Sequence, residues 1–290
     1  MTVLAELPQE QNQVTPQQHR GRIALPGDIG RRRLLIGMVA TYILVLILVP
    51  ILALFPGAFS EGIGAVFIAL SNPALWSAFG LTLTIALICV LIHTIFGTMF
   101  AWVLVRHRIF GRRLLNALID LPFALSPVVV GYMLLLLFGR NGLLAPTLDA
   151  LGLKVAFAMP GMVLATLFVT MPFMVREIIP LLETFSPEQE LAAASLGANG
   201  WQTFWRVIFP ALRSGLMYGI LLTFARALGE FGAVLVVGGG IQGRTETATI
   251  FIFNAMDHRQ YVSAYSAAIV LGLFSLILVI GTEFLRRKGK

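Results

Sequence analysis

The chain has 290 residues, of which 58% are hydrophobic and 12% carry a charge, and its net charge is +7. A soluble domain carries roughly 25% charged residues, so this composition excludes an ordinary soluble surface and favours a protein whose solvent is the lipid bilayer. In a membrane protein, excess positive charge is typical of the cytoplasmic side, so it does not indicate a nucleic-acid partner.

The first 33 residues contain Gln, Pro and charged residues but no apolar core. They predict a cytoplasmic, disordered N-terminal tail rather than a cleavable signal peptide. Six apolar segments follow, each long enough for the about 20 helical residues that cross a bilayer. These segments are residues 34–55, 76–105, 114–138, 160–180, 214–237 and 262–285. The predicted fold class is therefore all-α, an integral membrane protein with about six transmembrane helices in one domain, residues 34–285, and a short cytoplasmic tail at 286–290.

Six spans place both termini on one side of the membrane, and the distribution of Lys and Arg indicates which side. Sixteen basic residues fall on the side of the termini: Arg20, Arg22, Arg31, Arg32, Arg33, Arg106, Arg108, Arg112, Arg113, Arg176, Arg206, Arg213, Arg286, Arg287, Lys288 and Lys290. Four fall on the other side: Arg140, Lys154, Arg244 and Arg259. The positive-inside rule therefore predicts that both termini are cytoplasmic.

The third predicted span contains Pro122 and Pro127 and the polar side chains of Asp120 and Ser126. The sequence Asp120-Leu121-Pro122 predicts an interruption of the helix, and Ser126 and Pro127 are predicted to belong to the same break. One interpretation is a kink with a capped break. The other is that the broken segment lines a translocation path, because irregular backbone inside a membrane is tolerated where it faces a cavity. Asp120 and Ser126 are therefore candidate pathway residues.

The connection between the fourth and fifth spans, residues 186–210, predicts a short helix, a tight turn and a second short helix on the cytoplasmic face. Ser186 is a favourable N-cap, Pro187 fits the first helical position, and Gln189 completes a capping box. Gly197 predicts a left-handed stop, and Asn199 with Gln202 predicts the cap of the second helix. A slim, capped helix of this kind can enter a groove on another protein, whereas the alternative is an ordinary connecting loop.

The fifth predicted span carries two opposite charges, Arg226 and Glu230, four residues apart. Residues at this spacing share one helix face and can pair. A charge in mid-span is costly unless it is paired or hydrated. Two interpretations stay open here, namely a salt bridge that joins spans and an arginine that lines an anion path, and they are compatible. Arg226 and Glu230 therefore join the candidate pathway residues.

The 186–210 segment resembles the EAA loop of ABC importer permeases. Ala192 and Ala193 match the alanines of that pattern, Gly197 its glycine and Pro210 its terminal proline. Leu191 stands where the pattern has glutamate, and Glu190 supplies the acid one residue earlier. The resemblance implies the type I ABC importer permease architecture, in which this helix docks into a separate ATPase subunit and couples ATP hydrolysis to the spans.

Three further stretches resemble the sulfate and molybdate branch of that family, and most closely the W-type permeases for sulfate and thiosulfate. They are residues 120–129, 172–177 and 225–233. The resemblance implies an inner-membrane subunit that pairs with a second permease, two ATPase copies that bind ATP and Mg²⁺, and an external sulfate-binding protein. A molybdate or tungstate permease is the nearest alternative, and a stand-alone ion-coupled transporter or channel is the alternative from another class.

The chain itself is not predicted to be an enzyme. It contains no Gly-x-x-x-x-Gly-Lys-[Ser/Thr] phosphate-binding loop, so ATP hydrolysis by that mechanism is expected on a partner. Its His, Cys and carboxylate residues show no metal-ligand spacing, and no nucleophile is grouped with a base. We therefore expect no cofactor and no metal site on this chain.

Overall fold

The computed structural model of the chain describes residues 28–107 and 109–288. Within those residues the regular secondary structure is entirely helical. The helices are α1 (Asp28–Ala58), α2 (Ile63–Leu70), α3 (Pro73–Ile92), α4 (Thr98–Arg106), α5 (Arg112–Ala124), α6 (Pro127–Phe138), α7 (Ala145–Ala150), α8 (Met159–Thr184), α9 (Pro187–Ser195), α10 (Gly200–Thr203), α11 (Phe209–Leu228), α12 (Gly232–Gly238), α13 (Ala248–Asp257) and α14 (Tyr261–Lys288). Two π-helical turns, His93–Gly97 and Phe204–Ile208, join α3 to α4 and α10 to α11.

Helix α1 confirms the first predicted span. Its 31 residues extend about 46 Å at the α-helical rise, and residues 30–51, which belong to the first of two compact units, are all exposed. An apolar helix exposed on all sides is typical of a membrane span. Residues 28–33, which were predicted to be disordered tail, are helical, because α1 begins at Asp28. The rest of the predicted tail, residues 1–27, lies outside the described residues.

The second compact unit, from Leu52 onward, contains the other membrane-length helices. The second, fourth and sixth predicted spans are confirmed by helical segments that are long and apolar enough to cross a membrane: Pro73–Arg106, Met159–Thr184 and Tyr261–Gly281. Helix α14 continues to Lys288, so only residues 289–290 of the predicted C-terminal tail are left, and they lie outside the described residues. Together with α1 and the segment Gly200–Leu228, five helices reach this length, and six if one bent helix pair is counted as a span.

The third predicted span is that bent pair. The predicted interruption at Asp120-Leu121-Pro122 is wrong, whereas Ser126 and Pro127, predicted to belong to the same break, do lie at it. Helix α5 runs through Asp120, Leu121 and Pro122 without interruption, and the break lies at Leu125 and Ser126, where α6 leaves α5 at 112°. Pro127 explains this position, because a residue that precedes proline is driven out of the helical region. Ser126 accordingly has an extended backbone, with φ −64° and ψ 135°.

The fifth predicted span, 214–237, is also divided. Helix α11 ends at Leu228, and after Gly229, Glu230 and Phe231 the chain starts the separate helix α12. The carboxylate of Glu230 accepts a hydrogen bond from the backbone N–H of Ala233, at 3.2 Å, which satisfies one of the free donors at the start of α12. The Glu230 side chain therefore caps α12 at the place where α11 would otherwise have continued.

Helix α8 lies at the centre of the second unit and packs against α3, α4, α5, α6, α11 and α12. Its two halves belong to two apolar clusters. The first cluster contains Met162, Ala165 and Val169 with residues of α12, and the second contains Met174, Val175, Ile178 and Leu182 with residues of α4 and α11. Because α8 touches most of the surrounding helices, it fixes where their polar residues meet.

Close approach between α6 and α12 depends on a glycine. A Cβ atom added to Gly131 would lie 2.7 Å from Cβ of Val236 and 2.9 Å from the carbonyl oxygen of Ala233. The second of these atoms is backbone, so it can move away only if α12 moves. Small residues permit this kind of backbone contact between helices in membranes.

We therefore predict that Gly131→Ala destabilises the folded chain by about 1–3 kcal/mol, the cost of overpacking a filled contact. The measurement is the thermal unfolding midpoint of the detergent-purified protein. Gly272→Ala is the matched control, because Gly272 also lies inside a helix but has nothing within 4 Å of an added Cβ. An unfolding midpoint for Gly131→Ala equal to that of the control would contradict this account of the contact.

Candidate functional site

The 186–210 segment forms a helix at the predicted position. Helix α9 has nine residues, Ser186 is its N-cap, and Pro187 is at its first turn. The hydroxyl of Ser186 accepts a hydrogen bond from the N–H of Glu188 at 3.2 Å. The cap therefore involves Glu188 and not Gln189, with which a capping box was predicted. None of the nine residues of α9 is buried. The helix therefore stands at the surface of the described chain, held at its ends rather than by packing.

The turn after α9 has the predicted left-handed glycine. Gly197 has φ +84°, and the N–H groups of Gly197 and Ala198 donate to the carbonyls of Ala194 and Ala193. This arrangement is a Schellman motif, which satisfies carbonyls that the helix end leaves free. An added Cβ at Gly197 would have no atom within 4 Å. The position therefore needs glycine for its backbone conformation and not for space.

The second arm of the segment differs from the prediction of a separate short helix. Asn199 and Gln202 form the predicted reciprocal capping box, with bonds of 2.9 and 3.0 Å. From there the chain stays helical through α10, a π-helical turn and α11, as one run Gly200–Leu228. Pro210 is the second residue of α11, directly after the π-helical turn. The second arm is therefore the first part of a membrane-length helix.

An apolar surface is exposed on this helix pair. Leu191 is 66% exposed, Leu196 89% and Trp201 70%. Trp201 lies beside Phe204 and Trp205, with ring centroids 6.4 and 5.6 Å away, which holds the indole in place. We call Leu191, Leu196 and Trp201 the α9–α10 patch. Large apolar side chains that are exposed at a protein surface can form a contact with another molecule.

The side chain of Glu190 points toward the body of the protein. Oε1 of Glu190 lies 2.8 Å from a terminal nitrogen of Arg106, the last residue of α4, and the two side chains are 24% and 15% exposed. Ala193 is half-buried and Ala192 is exposed. The structure therefore brings Glu190 and Ala193 against the body of the protein and leaves Ala192 and Gly197 on the outside.

Arg226 and Glu230 form the predicted ion pair, at 2.9 Å, but the two ends differ in environment. The side chain of Glu230 is 2% exposed, whereas that of Arg226 is 30% exposed. Besides Arg226, the Glu230 carboxylate binds the N–H of Ala233, and the Glu230 carbonyl accepts from the hydroxyl of Thr249 at 2.8 Å. Glu230 is therefore held on several sides, while part of the Arg226 guanidinium stays open.

The two breaks in the apolar helices lie against each other. Gly232, just after the α11–α12 break, has Pro127 and Val128 of the α5–α6 break within 3.4 Å of where its Cβ would be. Ser126 is exposed at this corner, and its hydroxyl forms no capping bond to α6. Ser126 and Glu230 are thus brought to one region of the fold, although 104 residues separate them in the sequence.

Asp120 lies on α5, four residues before the helix ends at Ala124. It forms a two-point ion pair with Arg176 of α8, with Nε to Oδ1 at 2.8 Å, and Arg176 also donates to the carbonyl of Asn116. The two charged side chains are 47% and 38% exposed. Arg176, which the sequence assigned to the connection after the fourth span, lies within α8, eight residues before its last residue, Thr184.

Two residues that sequence reasoning did not select are Arg106 and Arg176. Both were treated as basic residues of cytoplasmic connections. The structure places each on a helix and pairs it with one of the acidic candidates, Glu190 and Asp120. A signal was available for Arg106, since Trp102 precedes it by one helical turn and an aromatic ring at that spacing can hold a guanidinium.

The chain matches the model of a known family. Residues 93–288 match the family described as "Binding-protein-dependent transport system inner membrane component". The matched region begins in the π-helical turn after α3 and extends to the end of α14, so it includes the 186–210 segment and both helix breaks. It covers more than half of the chain.

Relatives with similar sequences carry names from sulfate transport. The "Sulfate transport system permease protein CysW" of Synechocystis sp. is 44% identical over 92% of this chain and 96% of the relative. The protein of the same name from Escherichia coli K12 is 44% identical over 80% of each chain. "Sulfate permease 2, chloroplastic" of Chlamydomonas reinhardtii is 45% identical over 93% of this chain and 72% of the relative. The predicted resemblance to the W-type branch is confirmed, and these relatives are transport subunits rather than enzymes.

A solved structure with the same fold comes from a bacterial alginate ABC transporter in complex with its alginate pentasaccharide-bound periplasmic protein. It superposes with a TM-score of 0.73, covers 90% of this chain and 96% of the other, and is 19% identical. The predicted permease architecture is therefore confirmed at the level of the fold. By its matched family model, its relatives and its fold, the chain belongs to the binding-protein-dependent transport system inner membrane components of ABC importers.

Proposed function

We propose that this chain is the permease subunit of an ATP-driven importer for sulfate and thiosulfate. Identities of 44–46% with sulfate permeases over 80–93% of the chain support the substrate class. It lies in a bacterial inner membrane with both termini in the cytoplasm, an orientation supported by the distribution of Lys and Arg. A second permease subunit shares the translocation path, and an external sulfate-binding protein delivers the anion.

The observation that carries the coupling role is the shape of the 186–210 segment. Helix α9 is capped at both ends, has no buried residue, and presents the α9–α10 patch. A rigid short helix with exposed apolar side chains suits insertion into a groove of another protein. In this proposal the groove belongs to an ATPase subunit, present in two copies, which binds the ATP and Mg²⁺ that this chain does not. Glu190, Ala192, Ala193, Gly197 and Pro210 shape the inserted element.

The translocation path passes the corner where the two helix breaks meet. Arg226 offers a half-open guanidinium there, and Ser126 an exposed hydroxyl, both of which can donate to an oxyanion. Glu230 holds Arg226 in position from a buried site. Asp120, paired with Arg176, belongs to the same path about one helical turn before the end of α5. Broken helices and polar groups at membrane depth are expected where a cavity passes through the protein.

The proposal predicts ATP-dependent uptake of radiolabelled sulfate when this chain is reconstituted with its second permease, its ATPase and its binding protein. The chain alone in liposomes should move no sulfate, because the proposed ATPase is a separate subunit. Excess thiosulfate should compete for uptake, whereas excess molybdate should compete weakly. Sulfate flux through the isolated chain, or accumulation of molybdate but not sulfate by the full complex, would overturn the proposal.

The left-handed turn gives a second prediction. Gly197→Val places a β-branched residue at φ +84°, which costs about 1–2 kcal/mol for an L-residue and should displace α9 from its docked orientation. ATP-driven uptake should fall several-fold while the amount of chain in the membrane stays the same. Gly200→Val is the matched control, since Gly200 has equally open surroundings and a negative φ. Equal uptake in the two variants would argue against the coupling role.

The Arg226–Glu230 pair gives a third prediction, with two separate readouts. Arg226→Ala leaves a carboxylate of 2% exposure without its cation, which costs about 3–5 kcal/mol, so less complex should assemble. Arg226→Ala with Glu230→Gln should restore assembly, because the amide oxygen still accepts from Ala233. Sulfate uptake per assembled complex should stay low in both variants, since both lack the guanidinium.

Arg213→Ala is the control, because Arg213 is an exposed arginine near the start of the same helix. It should keep both assembly and uptake. Recovery of uptake together with assembly in the double variant would assign the pair a purely structural role and remove Arg226 from the path.

A further inference from the structure

Arg106 joins three parts of the chain that are distant in sequence. It is the last residue of α4 and ends the continuous helical run Pro73–Arg106. One of its terminal nitrogens donates to the carbonyl of Phe185, the residue at the α8–α9 corner, at 3.0 Å, and lies 2.8 Å from Oε1 of Glu190 on α9. A single guanidinium thus bridges two membrane-length helices and the short surface helix.

The guanidinium is also enclosed by aromatic rings. Its central carbon lies 5.7 Å from the centroid of the Trp102 ring and 5.8 Å from that of Phe185. At these distances the ring faces attract the cation. With side-chain exposures of 15% for Arg106 and 24% for Glu190, the pair is largely shielded from water. A shielded, multiply bonded pair holds its geometry far better than an exposed one.

The two acidic residues of α9, Glu188 and Glu190, have different environments. Glu188 is exposed and lies in the first turn of the helix, whereas Glu190 is turned inward to Arg106. A carboxylate already bound by an arginine of its own chain is not free to pair with a cation of another protein. Its contact determines how α9 is oriented on the end of α4.

We propose that Arg106 is the positioning residue that makes α9 and the second membrane helix move as one body, so that a displacement of α9 is passed to α4. Helix α9 has no buried side chain. Apart from its ends and its contacts with α10 and the π-helical turn Phe204–Ile208, the Arg106–Glu190 pair is the described ion pair that ties it to the end of α4. This pair acts on the last turn of α4 and leaves the α9–α10 patch uncovered. This inference rests on the proposed function for its transport readout.

The test uses the full complex in liposomes and measures sulfate transported per ATP hydrolysed, normalised to assembled complex. Arg106→Gln and Glu190→Gln should each lower this ratio about tenfold, within the range of coupling free energies between sites, while ATP hydrolysis continues. Arg106→Lys should be intermediate, because a lysine keeps the charge but not the planar guanidinium that lies against the Trp102 and Phe185 rings. Exchange of the charges, Arg106→Glu with Glu190→Arg, should recover part of the ratio.

Two controls are matched to these variants. Arg112 and Glu183 form a nearby ion pair between α5 and α8, with a separation of 3.7 Å and side-chain exposures of 46% and 54%. Arg112→Gln and Glu183→Gln remove equivalent charges without touching the Arg106–Glu190 pair. Both should keep the wild-type ratio of sulfate to ATP.

A second readout does not depend on the transported anion. The chain has one cysteine, Cys89, which is buried, so Cys89→Ser with Ser195→Cys places a spin label on exposed α9. Arg106→Gln should increase the mobility of this label, and Arg112→Gln should not. A wild-type complex that fails to move sulfate would refute the proposed function and leave this spectroscopic test standing. An unchanged ratio and unchanged mobility in Arg106→Gln, or a loss confined to assembly, would overturn the role of Arg106.

Discussion

The constraint on which this structure depends is that charges and free backbone groups among apolar helices must find partners within the protein. Water is scarce there, and an unpaired group is costly. Three ion pairs meet this requirement in the described residues: Asp120–Arg176, Arg226–Glu230 and Arg106–Glu190. Asp120–Arg176 links α5 to α8, Arg106–Glu190 links α4 to α9, and Arg226–Glu230 lies at the α11–α12 break, where the Glu230 carboxylate also accepts from the N–H of Ala233.

The same pairs divide the chain into a stiff body and an exposed surface element. Helix α8 packs against most of its neighbours and fixes the positions of Arg176 and the α8–α9 corner. Helix α9, by contrast, buries nothing and is held by its caps and by Arg106. In the proposed coupling, α9 can be displaced without unfolding, because its ends are hydrogen-bonded. The displacement reaches α4 through the Arg106–Glu190 pair, which is largely shielded from water.

The proposed path and the proposed coupling element place their charges differently. At the α11–α12 break the acid is buried and the arginine is partly exposed, which suits the proposed path for an oxyanion. At α9 both partners are mostly covered, so little charge is presented, and the apolar α9–α10 patch is left for a partner. The difference follows from which residue of each pair lies against the packed helices.

The sequence by itself determined the helical membrane class, the family and the caps of α9, because these depend on composition and on spacing within one turn. Local sequence patterns predict the N-cap at Ser186, the left-handed turn at Gly197 and the capping box of Asn199 with Gln202. Tertiary structure alone decided the division of the fifth span at Gly229 and the partners of Arg106 and Arg176. The ion pairs of Arg106 and Arg176 join side chains that are 84 and 56 residues apart in the chain, and no pattern within a single helix carries that information.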